Sequence, residues 1–186
     1  MATPGLPIVS VLKDMKGFVI SDEILAPKTN IVLEYFGEDP FRVYSRIPRL
    51  MQEIFHARGE SIYEDDFRWD ITSDPRQFFF IFRVERGVDG RTKYVVILKA
   101  FGRQPSDPAS KNGKMLVEIK GYLVTIYPIK KKYQRALFWP FIYLYHWAFY
   151  NKIRRRYLEI YKGYIEELET ELRKILGLPI RVVETV

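Results

Sequence analysis

From Lys114 to Pro179 the chain reads KMLVEIKGYLVTIYPIKKKYQRALFWPFIYLYHWAFYNKIRRRYLEIYKGYIEELETELRKILGLP, and this stretch decides the fold. Its first part is β-rich. Met115, Val117 and Ile119 alternate onto one face of a strand spanning Lys114 to Tyr127, with Gly121 the candidate for a bulge or bend. Pro128 closes that strand, and the period then changes. Trp139-Pro140 suits a helix start, because proline fits the first helical turn. No further proline occurs before the stop signal Gly177-Leu178-Pro179. A helix over residues 140–176 would be about 55 Å long, whereas a compact chain of this size is only about 40 Å across. The helix is therefore expected to overhang the body, to kink (Gly163 is the candidate), or to serve an oligomer.

The second half of that helix is amphipathic. Ile153, Tyr157, Ile160, Tyr161, Tyr164, Leu168, Leu172 and Ile175 form one stripe. Arg155, Glu159, Lys162, Glu166, Glu169 and Arg173 form the opposite face. Glu159–Lys162 and Glu169–Arg173 are spaced for ion pairs along the helix. The stripe fits packing on a sheet, or self-association where the helix passes the sheet edge.

Upstream, two short strands, Lys16–Leu25 and Ile31–Phe36, flank Ala26-Pro27-Lys28-Thr29-Asn30. Asp39-Pro40 reads as an N-cap and first helical residue. The helix continues through Phe41, Tyr44, Ile47, Leu50, Met51, Ile54 and Phe55 to about Ala57, with Pro48 placed to kink or split it. Extended runs follow at Ser61–Ile71, Phe78–Arg86 and Lys93–Arg103. Val88-Asp89-Gly90-Arg91 is a hairpin turn signal, and Gln104–Gly113 a Pro/Ser-rich loop.

The organisation is an N-terminal arm (1–16), a sheet body (17–139), the long helix of the same domain (140–177) and a tail (178–186). The class is α+β: an antiparallel β-sheet, a short helix after an early strand, and a long C-terminal α-helix packed across the sheet. This order resembles the START-like, or Bet v1-like, helix-grip superfamily. The residues that carry the resemblance are the Glu38-Asp39-Pro40 entry after Ile31–Phe36, the strands from Ser61 to Tyr127, and the helix from Pro140. The family usually has six strands between its helices, where this sequence gives four. The resemblance implies an apolar ligand held under the long helix. Phe80, Phe82, Val96, Leu98, Val117 and Ile119 would form the wall of the cavity, with Trp147 above.

Charge adds a second theme. The net formal charge is +7, and it is unevenly placed. Residues 1–118 balance to zero and residues 159–186 carry a slight acidic excess. Between them, 119–158 hold Lys120, Lys130, Lys131, Lys132, Arg135, Lys152, Arg154, Arg155 and Arg156 without one carboxylate. Such a segment favours an anionic partner, either phospholipid head groups or nucleic-acid phosphates. The plainer alternative is a solvated basic face. The expected contacts are Lys130, Lys131, Lys132, Arg135, Lys152, Arg154, Arg155 and Arg156. Within the segment, residues 136–150 are apolar and aromatic on nearly every side of a helix, which means burial all round or contact with lipid. Trp and Tyr bracketed by Lys and Arg suit a membrane interface, and the same mixture suits stacking on RNA. Fifteen residues are too few to span a hydrocarbon core of about 30 Å.

The sequence names no reaction. There is no cysteine, which excludes disulfides, thiolate catalysis and Cys-ligated metals. No phosphate-binding glycine loop and no nucleophile elbow occurs. The two histidines, His56 and His146, read as structural. Glu64, Asp66 and Asp70 would share one strand face, as a solvated cluster compensated by Arg68 or as an acid–base or Mg²⁺ site. No catalytic residue, metal or cofactor is assigned. No secretory signal and no spanning segment is visible, so the expected compartment is the cytoplasm, with peripheral contact to membrane or ribosome. Seven Asn and Gln in 186 residues give a thermophile-like composition. The leading expectation is a non-enzymatic START-like protein that binds a lipid- or isoprenoid-like ligand and docks on an anionic surface. A ribosome-binding or dormancy factor using 119–158 is the alternative. A small cyclase- or hydrolase-like enzyme comes third, and a homo-oligomer through the long helix is compatible with each.

Overall fold

The computed structural model describes residues 18–107, 112–127, 140–141 and 144–179. The chain forms β1 (Phe18–Glu23), β2 (Ile31–Glu38), a 3-10 turn (Pro40–Val43) and α1 (Ile47–Ile54). A second 3-10 turn (Gly59–Ser61) leads into β3 (Ile62–Asp70), β4 (Arg76–Gly87), β5 (Thr92–Gln104) and β6 (Asn112–Tyr127). A π-helical turn (His146–Tyr150) then runs into α2 (Asn151–Leu176). The class is α+β, with one six-stranded antiparallel sheet, a short helix after two early strands and a long C-terminal helix.

β6 is the spine of the sheet. One side pairs with β5, from Lys114↔Arg103 to Thr125↔Thr92. The other side is shared end to end: β2 takes Asn112–Ile119 and β1 takes Tyr122–Tyr127. Gly121 lies at the changeover. It was a candidate bulge, but the strand runs straight through it, and the missing side chain serves packing. The Ile24 amide bonds to its carbonyl at 2.9 Å, and a Cβ there would sit 2.4 Å from Ile165 Cδ1 of α2. The helix comes this close to the sheet because residue 121 has no side chain.

One sheet face lies under the helices. Leu33, Phe80, Val84, Val96, Leu98, Val117, Ile119 and Leu123 pack there against Val43, Ile47 and Met51 near α1 and Ile165, Leu168 and Leu172 of α2. The other face carries a smaller cluster, Ile81, Val95 and Ile97, bordered by Phe79 and Tyr122.

The helix expected from Pro40 to Ala57, with Pro48 placed to kink or split it, is split: Pro48 lies in the first turn of α1, where a missing amide costs nothing. Three other local expectations need correction. Asp39 precedes the first piece in a left-handed conformation and makes no side-chain cap. The expected stripe of the long helix holds at Tyr157, Tyr161, Tyr164, Leu168, Leu172 and Ile175, all packed on the core, and fails along one edge. Ile153 and Ile160 are exposed, while Arg154, Ile165 and Leu176 are buried beside Leu168 and Leu172. The sequence 154, 158, 161, 165, 168, 172, 176 steps by three and four, so the contact line follows these positions. Glu169, expected on the solvent side, is consequently buried, and Arg173 neutralises it at 2.8 Å. α2 runs through Gly163 as one helix, and the irregular turn is the π-helical one at 146–150.

Candidate functional site

The π-helical turn joins two surfaces of opposite character. A π turn takes an extra residue per hydrogen-bonded loop, so it shifts the side chains that follow it around the helix axis. Tyr150 and Arg154 thereby face the sheet, while Trp147, Phe149, Lys152 and Ile153 face outward.

On the sheet side lies a polar chain. Arg154 is 1% exposed. Its Nε donates to Asp22 Oδ2 at 2.7 Å, Nη1 to Thr125 Oγ1 at 2.5 Å, and Nη2 to the Leu123 carbonyl at 2.8 Å. Both Nη atoms also reach the Ile20 carbonyl. Five contacts use the five donors of the guanidinium, which is how a buried cation is made tolerable. The chain continues from Thr125 to Thr92 at 3.0 Å, from Thr92 to Tyr150 OH at 2.5 Å, and from Tyr150 OH to Asp89 Oδ2 at 2.6 Å. With Arg154 donating at one end and Asp89 accepting at the other, the hydroxyls all point the same way, toward Asp89. Burial raises the Asp89 carboxyl. Bonds from Tyr150, the Arg91 and Thr92 amides and Tyr157 outweigh that, leaving it below the usual carboxylate value. Burial first, and then the bond to Asp89, pushes the Tyr150 phenol up. His146 Nδ1 lies 3.0 Å from Tyr127 OH, and burial, with the Arg154 charge, lowers its imidazole.

On the solvent side the character reverses. Phe141, Leu144, Trp147 and Phe149 are 58–68% exposed, and Tyr145 and Ile153 are exposed beside them. Lys152, Arg155 and Arg156 follow within one or two turns, all exposed. None of the three forms an ion pair among the described residues. Monomeric proteins rarely leave so many large apolar side chains in contiguous contact with water without a use for them.

The expected site residues now separate. Lys152, Arg155 and Arg156 are on the surface beside the aromatic side chains. Arg154 is not: its guanidinium is consumed internally, and it is withdrawn from the set of anion contacts. Lys130, Lys131, Lys132 and Arg135 lie outside the described residues. Phe80, Phe82, Val96, Leu98, Val117 and Ile119 do share the helix-facing side and are 0–3% exposed. The rings of Phe41 and Tyr44 lie within 6.3 Å of Phe80, and Tyr44 within 5.5 Å of Phe82. Trp147, expected above these six, points to solvent instead.

The acidic face is broken by a bulge between Glu64 and Asp66. Glu64 turns to the helix side, where Tyr44 donates to it at 3.0 Å. Asp66 and Asp70 stay on the other face with Arg68, which pairs with Asp66 at 2.7 Å. The three carboxylates therefore do not converge, and no group of ligand side chains fit for a metal occurs among the described residues. Asp89, Thr92, Thr125 and Tyr150 carried no sequence signal as a set, since they come from the β4–β5 turn, β5, β6 and the π-helical turn and meet only in the fold. No protein-family model matches the chain, and no curated protein matches it.

Proposed function

We propose that this protein is a non-enzymatic, peripheral binding protein that lays the start of its long helix, residues 144–156, into the surface of an anionic membrane. One observation carries this reading. Phe141, Leu144, Trp147 and Phe149 stand exposed immediately before Lys152, Arg155 and Arg156, with no carboxylate among them. Aromatic and aliphatic side chains that enter the acyl boundary, with cations at head-group level, are the composition of an interfacial helix. Three cations near an anionic surface contribute roughly 3 kcal/mol in all, and salt screens that part. Each large apolar side chain contributes roughly 1.5–3 kcal/mol if fully buried, which salt does not remove. No helix among the described residues is long and apolar enough to cross a membrane, so the contact lies in the interface plane. The buried Arg154, paired with the half-exposed Asp22, ties this helix to β1 and gives the docking surface a rigid base.

RNA is the competing partner, but Leu144 and Ile153 offer nothing for a base to stack on. An apolar ligand inside the fold would have to displace rings that already pack on Phe80 and Phe82, so this reading places the apolar partner outside. The test is co-sedimentation with phosphatidylglycerol-containing vesicles, with phosphatidylcholine vesicles and with ribosomes, at low and high salt. The expected result is binding to the anionic vesicles, with a fraction that survives high salt and disappears in Trp147→Ser/Phe149→Ser. Binding to ribosomes alone, fully reversed by salt, would transfer the site to RNA. Binding to neither at low salt would reduce the segment to a solvated face.

A further inference from the structure

The sheet face turned away from the helices is crossed by ion pairs. Arg83 bridges Asp65 at 2.8 Å and Glu85 at 2.6 Å. Lys93 pairs with Glu85, Lys120 with Glu118 at 2.9 Å, and Arg68 with Asp66. Lys99 stands opposite Glu118. Arg103 and Lys114 break the pattern. They face each other directly across β5 and β6, both exposed, and neither meets a carboxylate among the described residues. Like charges placed directly opposite on neighbouring strands repel and destabilise the pair.

Their surroundings are apolar. Phe36 of β2 lies opposite Lys114, and Gln77 of β4 lies opposite Arg103. The next row across the sheet is Glu34, Leu116, Phe101. Over these two rows opens a groove of about 380 Å³, lined by all seven of these side chains. Phe36 is 73% and Phe101 47% exposed, and a volume of this order falls within the roughly 300–1,000 Å³ of small-molecule sites.

We propose that this groove binds an amphipathic monocarboxylate, a molecule with one acid head and an apolar body. The head lies between Arg103 and Lys114 and relieves their repulsion. Arginine can hold it through two parallel hydrogen bonds, and the Gln77 amide can add a donor. The body runs over Leu116 between the Phe36 and Phe101 rings. Glu34, one row away on the tail side, repels a second acid group and so selects for an uncharged tail. The groove is on the opposite face of the sheet from the docking helix and at the other end of β6, so it is a separate site.

Decanoate below its micelle concentration is the probe, followed by calorimetry and by backbone amide shifts. Acetate supplies the head alone, 1-decanol the tail alone, and decanedioate a second acid at the tail end. Saturable decanoate binding is expected, with shifts centred on Gly102 and Gly113, and binding at least tenfold weaker for the other three. Arg103→Gln/Lys114→Gln, at two exposed positions, should lose decanoate binding while keeping its binding to anionic vesicles. Glu34→Gln should narrow the gap between decanoate and decanedioate. Three results would overturn the proposal: no saturation, binding undiminished in the double variant, or shifts confined to residues 144–153.

Discussion

Arg154 Nε and Asp22 Oδ2 lie 2.7 Å apart, joining α2 to β1 across 132 residues of sequence. The two partners are not equivalent, since the Arg154 side chain is 1% exposed and the Asp22 side chain 45%. Removing the buried member takes this donor from the Leu123 and Ile20 carbonyls and leaves the Thr125 hydroxyl with Thr92 alone. Removing the half-exposed member leaves a cation that keeps four of its contacts. Arg154→Gln should therefore cost about 3 kcal/mol or more, and Asp22→Asn about 1 kcal/mol. Arg155→Gln/Arg156→Gln should stay within about 0.5 kcal/mol per site of the parent while weakening vesicle binding. Urea unfolding ranks the variants, and equal costs for the 154 and 155/156 changes would contradict a buried guanidinium.

The buried line of α2 makes a matching forecast. Leu168 is fully buried and Ile153 is exposed. Leu168→Ala should cost about 2–5 kcal/mol through lost burial and a residual cavity. Ile153→Ala and Ile160→Ala should each cost about 0.5 kcal/mol or less. A cost for Ile160→Ala comparable to that for Leu168→Ala would put Ile160 back on the buried line.

The element order was legible in the sequence because each boundary has a local cause. Pro48 cannot sit in a helix interior and so opens α1 in its first turn, and Val88-Asp89-Gly90-Arg91 turns the β4–β5 hairpin. Position 154 was not legible. The pattern Arg154-Arg155-Arg156 looks uniform, and only the acceptors at Asp22, Ile20, Leu123 and Thr125, from two distant strands, single out the first arginine. The bulge at Glu64/Asp66 was hidden for a related reason. Strict alternation puts Glu64 with Asp66, and one extra residue reverses that. The aromatic and apolar composition of this stretch was visible as an anomaly, but composition alone could not distinguish burial from the exposure seen at Phe141, Leu144, Tyr145, Trp147 and Phe149.

Stability should also respond to pH through His146. Burial, and next the Arg154 charge, hold its imidazole below the ordinary value, with Asp22 opposing. As pH falls, the unfolded chain takes up this proton first, near pH ~6.5. The contribution is therefore complete above that pH and is lost as pH falls through it toward the lower value of the folded state. Asp89, also lowered, acts with the same sign in a more acid window, below about pH 3.9. The urea midpoint of the parent should drop between pH 7.5 and 5.5 at the ~6.5 imidazole step, and His146→Gln should flatten that drop. An identical drop in the variant would remove His146 as its source.

Gly121 offers the sharpest test of how α2 sits on the sheet. An added Cβ would lie 2.4 Å from Ile165 Cδ1 and 3.2 Å from Ile24 Cδ1. Both neighbours are buried, at 0% and 3% exposure, so neither can swing into solvent. The helix must rise or the side chains must leave their preferred rotamers, and overpacking of this kind costs about 1–3 kcal/mol. The 2.4 Å contact is with the terminal methyl of Ile165, which valine lacks. Ile165→Val alone should cost about 0.5–1.5 kcal/mol. Gly121→Ala/Ile165→Val should then be more stable than the sum of the two single changes implies, a coupling of the size seen between residues in contact, about 0.5–3 kcal/mol. Strict additivity in a double-mutant cycle would mean that α2 does not rest on Gly121 through Ile165.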